Sequence, residues 1–200
     1  MALLIGAVLV LGMLFNLAFP PSPPLPHYPR YEALMAAVDK HDAKTVRLLL
    51  NQGTNPNEYP NDPDSIQAEA DYTVLNCAVD DGDEAIVTLL LDHHADPNMG
   101  DGWHDSPLAA AAAKNNVSLM KLLIRRDAKV NDSPDWSSAL WRAAMDGKVE
   151  ATAFLLAHGA NPRITAAHTT LLDAVRSSVT PNPKIIALLV KAGAYSASPK

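Results

Sequence analysis

The densest group of side chains that could do chemistry lies between positions 93 and 105. Imidazole and carboxylate groups at this spacing could coordinate zinc or copper. The group consists of His93, His94, Asp101, His104 and Asp105. A structural interpretation competes with it, because His93 holds the place in one internal repeat that His158 holds in a later copy. We favour the structural interpretation and predict no metal ion and no cofactor.

The single cysteine and a cluster of aspartates offer less for catalysis. Cys77 stands alone in the chain, which excludes an intrachain disulfide and a multi-cysteine zinc site. Beside Ala78, it is expected to be a small buried residue rather than a reactive thiol. Asp80, Asp81 and Asp83 could bind a cation, but we expect a solvated acidic turn. No G-x-S-x-G, phosphate-loop or H-E-x-x-H sequence occurs, so we predict that the protein is not an enzyme.

Length and charge narrow the class of protein. The chain has 200 residues, with 16 Lys and Arg against 22 Asp and Glu and a net charge of −6. This length fits one domain or a short repeat array. The acidic balance argues against a nucleic-acid partner, which would normally meet a basic face. Aromatic residues make up only 6% of the chain against 48% apolar residues, which favours closely packed helices.

The first part of the chain predicts a membrane segment. Residues 2–19 are apolar except for Asn16, and as a helix they would span about 27 Å, close to the ~30 Å of a bilayer core. The run could be an uncleaved transmembrane anchor or a signal peptide. No basic residue precedes it and residues 16–18 are a poor cleavage site, so we favour an anchor over residues 1–19.

A proline-rich stretch separates this run from the rest of the chain. Residues 20–30 read PPSPPLPHYPR, a composition typical of an extended, semi-rigid spacer. The alternative is a ligand for a proline-binding module. Arg30 is the first charged residue, so lysine and arginine say almost nothing about orientation. We expect a single N-terminal pass with the following domain on the extracytoplasmic, or periplasmic, side.

The remainder of the chain is an internal repeat. Each copy has a lead leucine with an alanine three residues later, and the spacings between lead leucines are 41, 33, 32 and 31. The lead residues are Leu34, Leu75, Leu108, Leu140 and Leu171. A second apolar pair follows 14 and 15 residues after the lead leucine in the first four copies. The pairs are Leu48-Leu49, Leu89-Leu90, Leu122-Leu123 and Phe154-Leu155. In the fifth copy, Leu188-Leu189 follows after three extra residues.

The repeat resembles the ankyrin family. Residues 106–111 read SPLAAA and residues 73–78 read TVLNCA, which are similar to the family's T-P-L-H-x-A motif. Residues 94–98 read HADPN and resemble its G-A-D-P-N ending. The resemblance implies an all-α solenoid in which each repeat is a β-turn finger followed by two helices. It divides the domain, residues 31–194, at about 31–71, 72–104, 105–136, 137–167 and 168–194, with a tail over 195–200.

The resemblance also predicts how each second helix ends. The family favours glycine there, because the backbone turns left-handed after the helix. Gly53, Gly159 and Gly193 fit this rule. His94 and Asp127 stand at the equivalent places, so we expect strained caps in those two repeats. The leucine pair of each second helix is expected to fill the core between repeats.

A recognition surface follows from the resemblance. In ankyrin proteins the fingers and the exposed side of the first helices form the concave binding face. Matching positions implies that the partner is contacted by Tyr72, Asp80, Asp81, Trp103, Asp105, Asp135, Trp136, His168 and Arg176. Exposed tryptophans flanked by carboxylates suit a protein partner with a basic patch. The alternative is that the indoles of Trp103 and Trp136 only brace the fingers.

These expectations combine into a function. We predict a monomeric, non-catalytic module for protein–protein recognition, attached to a membrane through residues 2–19. One version, by analogy with small bacterial ankyrin proteins, is an immunity-type partner that binds and inhibits an exported or periplasmic enzyme. The alternative is a cytoplasm-facing membrane scaffold or assembly factor. A metal-binding protein is less well supported.

Overall fold

A computed structural model describes residues 29–58, 73–100, 106–131, 133 and 135–197. Within these residues the chain forms ten helices and one two-stranded hairpin. In chain order the elements are α1 (Pro29–Asp39), α2 (Ala43–Asn51), α3 (Val74–Asp80), α4 (Glu84–Asp92), α5 (Pro107–Ala113), α6 (Val117–Arg125), α7 (Ala139–Met145), α8 (Val149–Ala157), β1 (Thr165–Ala166), β2 (Thr169–Thr170), α9 (Leu171–Ser177) and α10 (Pro183–Lys191). The helices follow one another as five pairs, which confirms the predicted helical solenoid.

The first helices of four pairs begin at a serine or threonine. Each extended hydroxyl residue accepts a hydrogen bond from the backbone N–H three residues later, at Thr73, Ser106, Ser138 and Thr170. This bond satisfies a donor that the helix itself leaves without an acceptor. The first pair differs, because α1 begins at Pro29 and takes in residues 31–34, where the other copies have the turn motif. Its start also makes the last two residues of the predicted spacer helical.

The second helices use acidic or amide caps, with one exception. Asp42, Asp83, Asn116 and Asn182 each accept a backbone N–H at the start of α2, α4, α6 and α10. Helix α8 begins after Lys148, which makes no such bond. Asn115 of the preceding repeat takes over this role, since its Oδ1 accepts the Ala151 N–H at 2.9 Å. Its Nδ2 also donates to Glu150 Oε2 at 2.9 Å.

The helices pack in two layers with the apolar core between them. In the first layer α1, α3, α5, α7 and α9 contact one another in order, and in the second layer α2 contacts α4 while α8 contacts both α6 and α10. The lead leucines of the first four copies are at most 2% exposed. Leu123 is 0% exposed. The predicted core role is therefore confirmed for these lead leucines and for Leu123.

The first repeat departs from the expected packing of the leucine pair. At the first position of the pair, Leu89 is 7% and Leu122 is 6% exposed, whereas Leu48 is 56% exposed. No described helix precedes the first repeat, so nothing in the described chain covers this side of α2. The expectation that both members of the pair are buried in every copy is wrong at Leu48, and Leu49, Phe154 and Leu188 are only half-buried.

The fifth repeat is shifted by one residue from the predicted register. Thr170 caps α9, so Leu172 rather than Leu171 occupies the lead position. Val175, which is 2% exposed, then stands where the other copies have the buried alanine, and Ala174 is half-buried. Two adjacent leucines satisfied the sequence pattern equally well, and only the capping threonine distinguishes them. The shift also reduces the extra residues before α10 from three to two.

An asparagine at the end of three repeats ties each of them to the next. Asn57 Nδ2 donates to the backbone oxygen of His94 at 2.8 Å, and its Oδ1 accepts the Asp96 N–H at 2.7 Å. The same pair of bonds recurs at Asn98 and at Asn131. Asn98 is the final asparagine of the G-A-D-P-N pattern. The motif therefore links neighbouring repeats as well as ending a helix.

Two of the strained backbone positions lie where the sequence predicted them. His94 has a φ of 66° and Asp127 a φ of 67°, in the left-handed region that glycine occupies at Gly53 and Gly159. Left-handed backbone is also found at Ala167 and His168, the two residues between β1 and β2. Positive φ at both central residues is typical of a type I′ hairpin turn.

The predicted anchor at the N-terminus, residues 1–19, lies outside the described residues. Among the helices that the structure describes, none is both long enough and apolar enough to cross a membrane.

In the tail, the Ser196 hydroxyl and the Ala197 N–H donate to the carboxylate of Asp173, which fastens this segment to α9. The residue borders given above for the domains stay predictions.

Candidate recognition surface

Three of the nine residues predicted to contact a partner lie outside the described residues. They are Tyr72, Trp103 and Asp105. The other six sit at the ends of first helices or in the segments before them. They are Asp80, Asp81, Asp135, Trp136, His168 and Arg176.

Asp80 and Asp81 lie at the end of α3. Asp80 is half-buried and its Oδ1 lies 3.9 Å from Lys114 Nζ of the next repeat. Such a surface pair contributes little to stability because water and salt screen it. Asp81 is exposed. Asp83, the third aspartate of the cluster, accepts the Ile86 N–H at 3.1 Å as the cap of α4, so its role is structural.

Asp135 orders the segment before α7. Its Oδ1 accepts hydrogen bonds from the Ser137 N–H at 3.0 Å, the Ser133 hydroxyl at 2.8 Å and the Ser137 hydroxyl at 2.9 Å. The backbone bond from Ser137, followed by the Ser133 hydroxyl, holds the pKa of Asp135 below its ordinary value. A fixed negative charge therefore stands beside Trp136.

Two large apolar side chains are exposed at opposite ends of α7. Trp136, before the helix, is 44% exposed, and Met145, its last residue, is 39% exposed. Trp141, inside the helix, is half-buried and packs against the core. Trp136 therefore has surface that a partner can contact.

The fifth repeat places its two candidates differently from the prediction. His168 is exposed at the tip of the β1–β2 hairpin. In the corrected register, Arg176 is equivalent to Val79, Ala112 and Ala144, which are buried in the inner repeats. Arg176 is exposed because α9 is the last first helix described. Arg176 therefore lies at the open end of the stack of repeats. It does not occupy the position in its repeat that Asp80 occupies in the second repeat.

The candidate metal group is only partly described. His93 and His94 lie at the end of α4, while Asp101, His104 and Asp105 lie outside the described residues. In the described part of the chain, no three His, Cys, Asp or Glu side chains come close enough together to hold a metal ion.

Cys77 has the environment of an unreactive thiol. It is half-buried in α3, and its Sγ donates to Asp39 Oδ1 of α1 at 3.2 Å. Burial, together with the Asp39 carboxylate, raises the pKa of the thiol from its ordinary 9.0 to about 12. Because the thiolate is the reactive form, this environment agrees with the expected packing role.

One surface feature escaped the sequence reasoning. A groove lies between α6 and α8 in the layer of second helices, lined by Lys121, Ile124, Arg125, Phe154 and His158. The spacing of Lys121 and Arg125, four residues apart on one helix, was visible in the sequence. The sequence pattern assigns Phe154 to the core and does not distinguish Ile124, so it does not predict a groove beside the two cations.

Comparison with known proteins identifies the family. The chain matches no curated protein sequence significantly. A family model described as ankyrin repeats, three copies, matches residues 22–101 and 108–198, which together make up most of the chain. This match agrees with the five pairs of helices and with the asparagine links between them. The chain therefore belongs to the ankyrin-repeat family, whose domains are protein–protein interaction modules and are typically non-catalytic.

Proposed function

We propose that this protein binds the basic patch of a protein partner through its fingers and first helices, without catalysis. We call this surface the recognition face and define it by Asp80, Asp81, Asp135, Trp136 and Met145. The observation that carries the proposal is the exposed indole of Trp136 beside the ordered carboxylate of Asp135.

Physical chemistry supports this choice of face. Tryptophan is among the residues that contribute most to protein interfaces, because it buries a large area with few rotatable bonds. The hydrogen bonds to Asp135 order the segment before any partner arrives, which lowers the entropy cost of binding. Asp135 beside the indole, and the exposed Asp81 at the end of α3, would attract a basic partner and raise the association rate. A positively charged patch is therefore the complementary surface.

For the biological setting we propose a membrane-attached protein with its repeats on the extracytoplasmic side, where it binds and inhibits an exported or periplasmic enzyme. The support is the apolar run of residues 2–19 and the proline-rich residues 20–30. The alternative, a scaffold or assembly factor facing the cytoplasm, shares the same binding face. A topology reporter that is active only outside the cytoplasm, fused after Lys200, distinguishes the two. It should be active if the repeats lie on the extracytoplasmic side and inactive if they face the cytoplasm.

Comparative capture from native membranes tests the recognition face. The full chain, Trp136→Ala and Tyr195→Ala are used as baits in parallel. Tyr195 is the matched control, because it is an aromatic residue of similar exposure, 48% against 44%, in the tail. We expect a partner that is retained by the wild type and Tyr195→Ala and lost with Trp136→Ala. Retention of that partner by Trp136→Ala at the wild-type level would contradict the proposal.

A further inference from the structure

The groove between α6 and α8 has an apolar floor. Ile124 of α6 and Phe154 of α8 are half-buried, pack against the core and face the groove. The groove has a volume of about 300 Å³ and is open to solvent. This size is at the lower end of the range for ligand pockets, ~300–1,000 Å³. It can therefore receive an apolar side chain without any rearrangement of the helices.

The rim of the groove carries unneutralised positive charge. Lys121 and Arg125 are exposed and lie one turn apart on α6. Neither forms an ion pair with a described residue, whereas the adjacent Arg126 lies 2.9 Å from Asp92. Among the described residues, Lys121 and Arg125 are thus two unpaired cations that border an apolar floor. Their complement is a ligand that is both apolar and acidic.

Phe154 is held in place by His158. The His158 ring lies 4.0 Å from the Phe154 ring at an angle of 32°. His158 Nδ1 lies 2.8 Å from the backbone oxygen of Phe154, and since a carbonyl oxygen only accepts, this nitrogen donates. The Phe154 side of the groove floor is therefore ordered before a ligand arrives. This favours binding, because few side chains have to lose freedom when the ligand binds.

We propose that this groove is a second interaction site, which takes a leucine or phenylalanine side chain from an acidic peptide segment of a protein partner. The carboxylates that flank this side chain in the peptide form ion pairs with Lys121 and Arg125. A small molecule fits less well, because pockets for such ligands enclose most of the ligand surface and this groove is open to solvent. The site lies on second helices, so it is independent of the recognition face.

A synthetic peptide with a central leucine flanked on both sides by glutamates tests the proposal. Its affinity for the full chain is measured by fluorescence anisotropy. We expect Lys121→Glu with Arg125→Glu to weaken binding about fivefold or more, since two ion pairs are lost and the new carboxylates repel the glutamates of the peptide. Lys44→Glu with Arg47→Glu is the control, because it reverses two exposed cations on α2 with the same change in net charge. The control should bind like the wild type.

Changes in the peptide test each half of the interaction without altering the protein. Replacing the leucine by serine, or the glutamates by glutamines, should each weaken binding severalfold. In methyl NMR spectra of the full chain, the Ile124 signal should shift on addition of the original peptide. The proposal is wrong if the peptide does not bind, if both charge-reversed proteins bind equally well, or if the Ile124 methyl does not respond.

Vesicles of anionic lipid provide the alternative outcome. If the groove is a lipid site, Lys121→Glu with Arg125→Glu will lose the preference for anionic over neutral vesicles while the wild type does not bind the peptide, and the proposal is overturned. We expect this variant to bind both kinds of vesicle as Lys44→Glu with Arg47→Glu does. Trp136→Ala separates the two surfaces, since it should leave the peptide affinity unchanged whether or not the recognition face is correct.

Discussion

Leu123 and Leu48 are the same residue type at opposite extremes of burial. Leu123 is 0% exposed and Leu48 is 56% exposed, although both belong to the leucine pairs of second helices. We expect Leu123→Ala to lower the free energy of unfolding by ~2–5 kcal/mol, because it removes core contacts and leaves a cavity. Leu48→Ala should cost no more than ~0.5 kcal/mol, as surface changes usually do. Urea unfolding of both variants makes the comparison, and equal losses would mean that the layers are packed differently.

The thiol of Cys77 gives a second prediction at the residue scale. With its pKa raised from 9.0 to about 12, the fraction of thiolate near pH 8 is about a thousandfold lower than for a free cysteine. The higher intrinsic reactivity of a more basic thiolate offsets part of this difference. We expect iodoacetamide to modify the native protein more than about tenfold slower than the protein in urea. Similar rates in both states would show that the thiol is accessible and that burial does not protect it.

At the scale of elements, α8 depends on a residue of the preceding repeat. Asn115 has a φ of 57°, which glycine adopts without strain, so Asn115→Gly removes the side-chain bonds while the backbone is preserved. We expect this change to cost ~1 kcal/mol, the usual value of a helix cap. Lys148→Asp should restore most of that loss, because it gives α8 a cap of its own. Thermal and urea unfolding of the single and double variants tests this exchange of caps.

The same pair of residues predicts a pH dependence. The hydrogen bond from Asn115 is the main cause that lowers the pKa of Glu150 from its ordinary 4.5. The stability this bond adds is present above the unfolded pKa and is lost as the pH falls through the lower folded pKa. Asn115→Gly should therefore flatten the loss of stability on acidification below about pH 5. The capping role would be contradicted if the effects of Asn115→Gly and Lys148→Asp on stability were additive. It would also be contradicted if Asn115→Gly left the loss of stability on acidification unchanged.

The elements also show what the sequence could predict. The repeat pattern located all five pairs of helices, because it records the buried leucines and alanines of each pair directly. It misplaced α9 by one residue, since Leu171 and Leu172 both fit and the cap at Thr170 was not used. It missed the cap of α8, because Asn115 and Ala151 belong to different repeats and meet only in the folded chain.

At the scale of the whole molecule, stability should come from contacts between neighbouring repeats. Each repeat packs on the next through helices and through the asparagine links, as in other solenoids. We therefore expect residues 29–200 to fold alone as a helical protein without the apolar N-terminal run. Circular dichroism should show a helical spectrum with a cooperative melt. A spectrum dominated by strand or coil would contradict the fold.

The whole molecule presents charge of opposite sign on two surfaces. Carboxylates accompany Trp136 on the recognition face, while Lys121 and Arg125 border the groove between second helices. The exposure of Trp136 was predictable from its place in the repeat. The internal bonds of Asp135 were not, because they depend on where the hydroxyls of Ser133 and Ser137 lie in the folded segment.

Binding and melting of the Trp136→Ala variant, measured on the same sample, test the central claim most directly. With the captured partner, a titration should show a loss of ~2 kcal/mol or more in binding free energy, as for a tryptophan at an interface centre. The free energy of unfolding should change by no more than ~0.5 kcal/mol, because the side chain is 44% exposed. The contrary result is a collapsed melt in which the remaining folded protein still binds normally. In that case Trp136 braces its segment and the recognition face lies elsewhere.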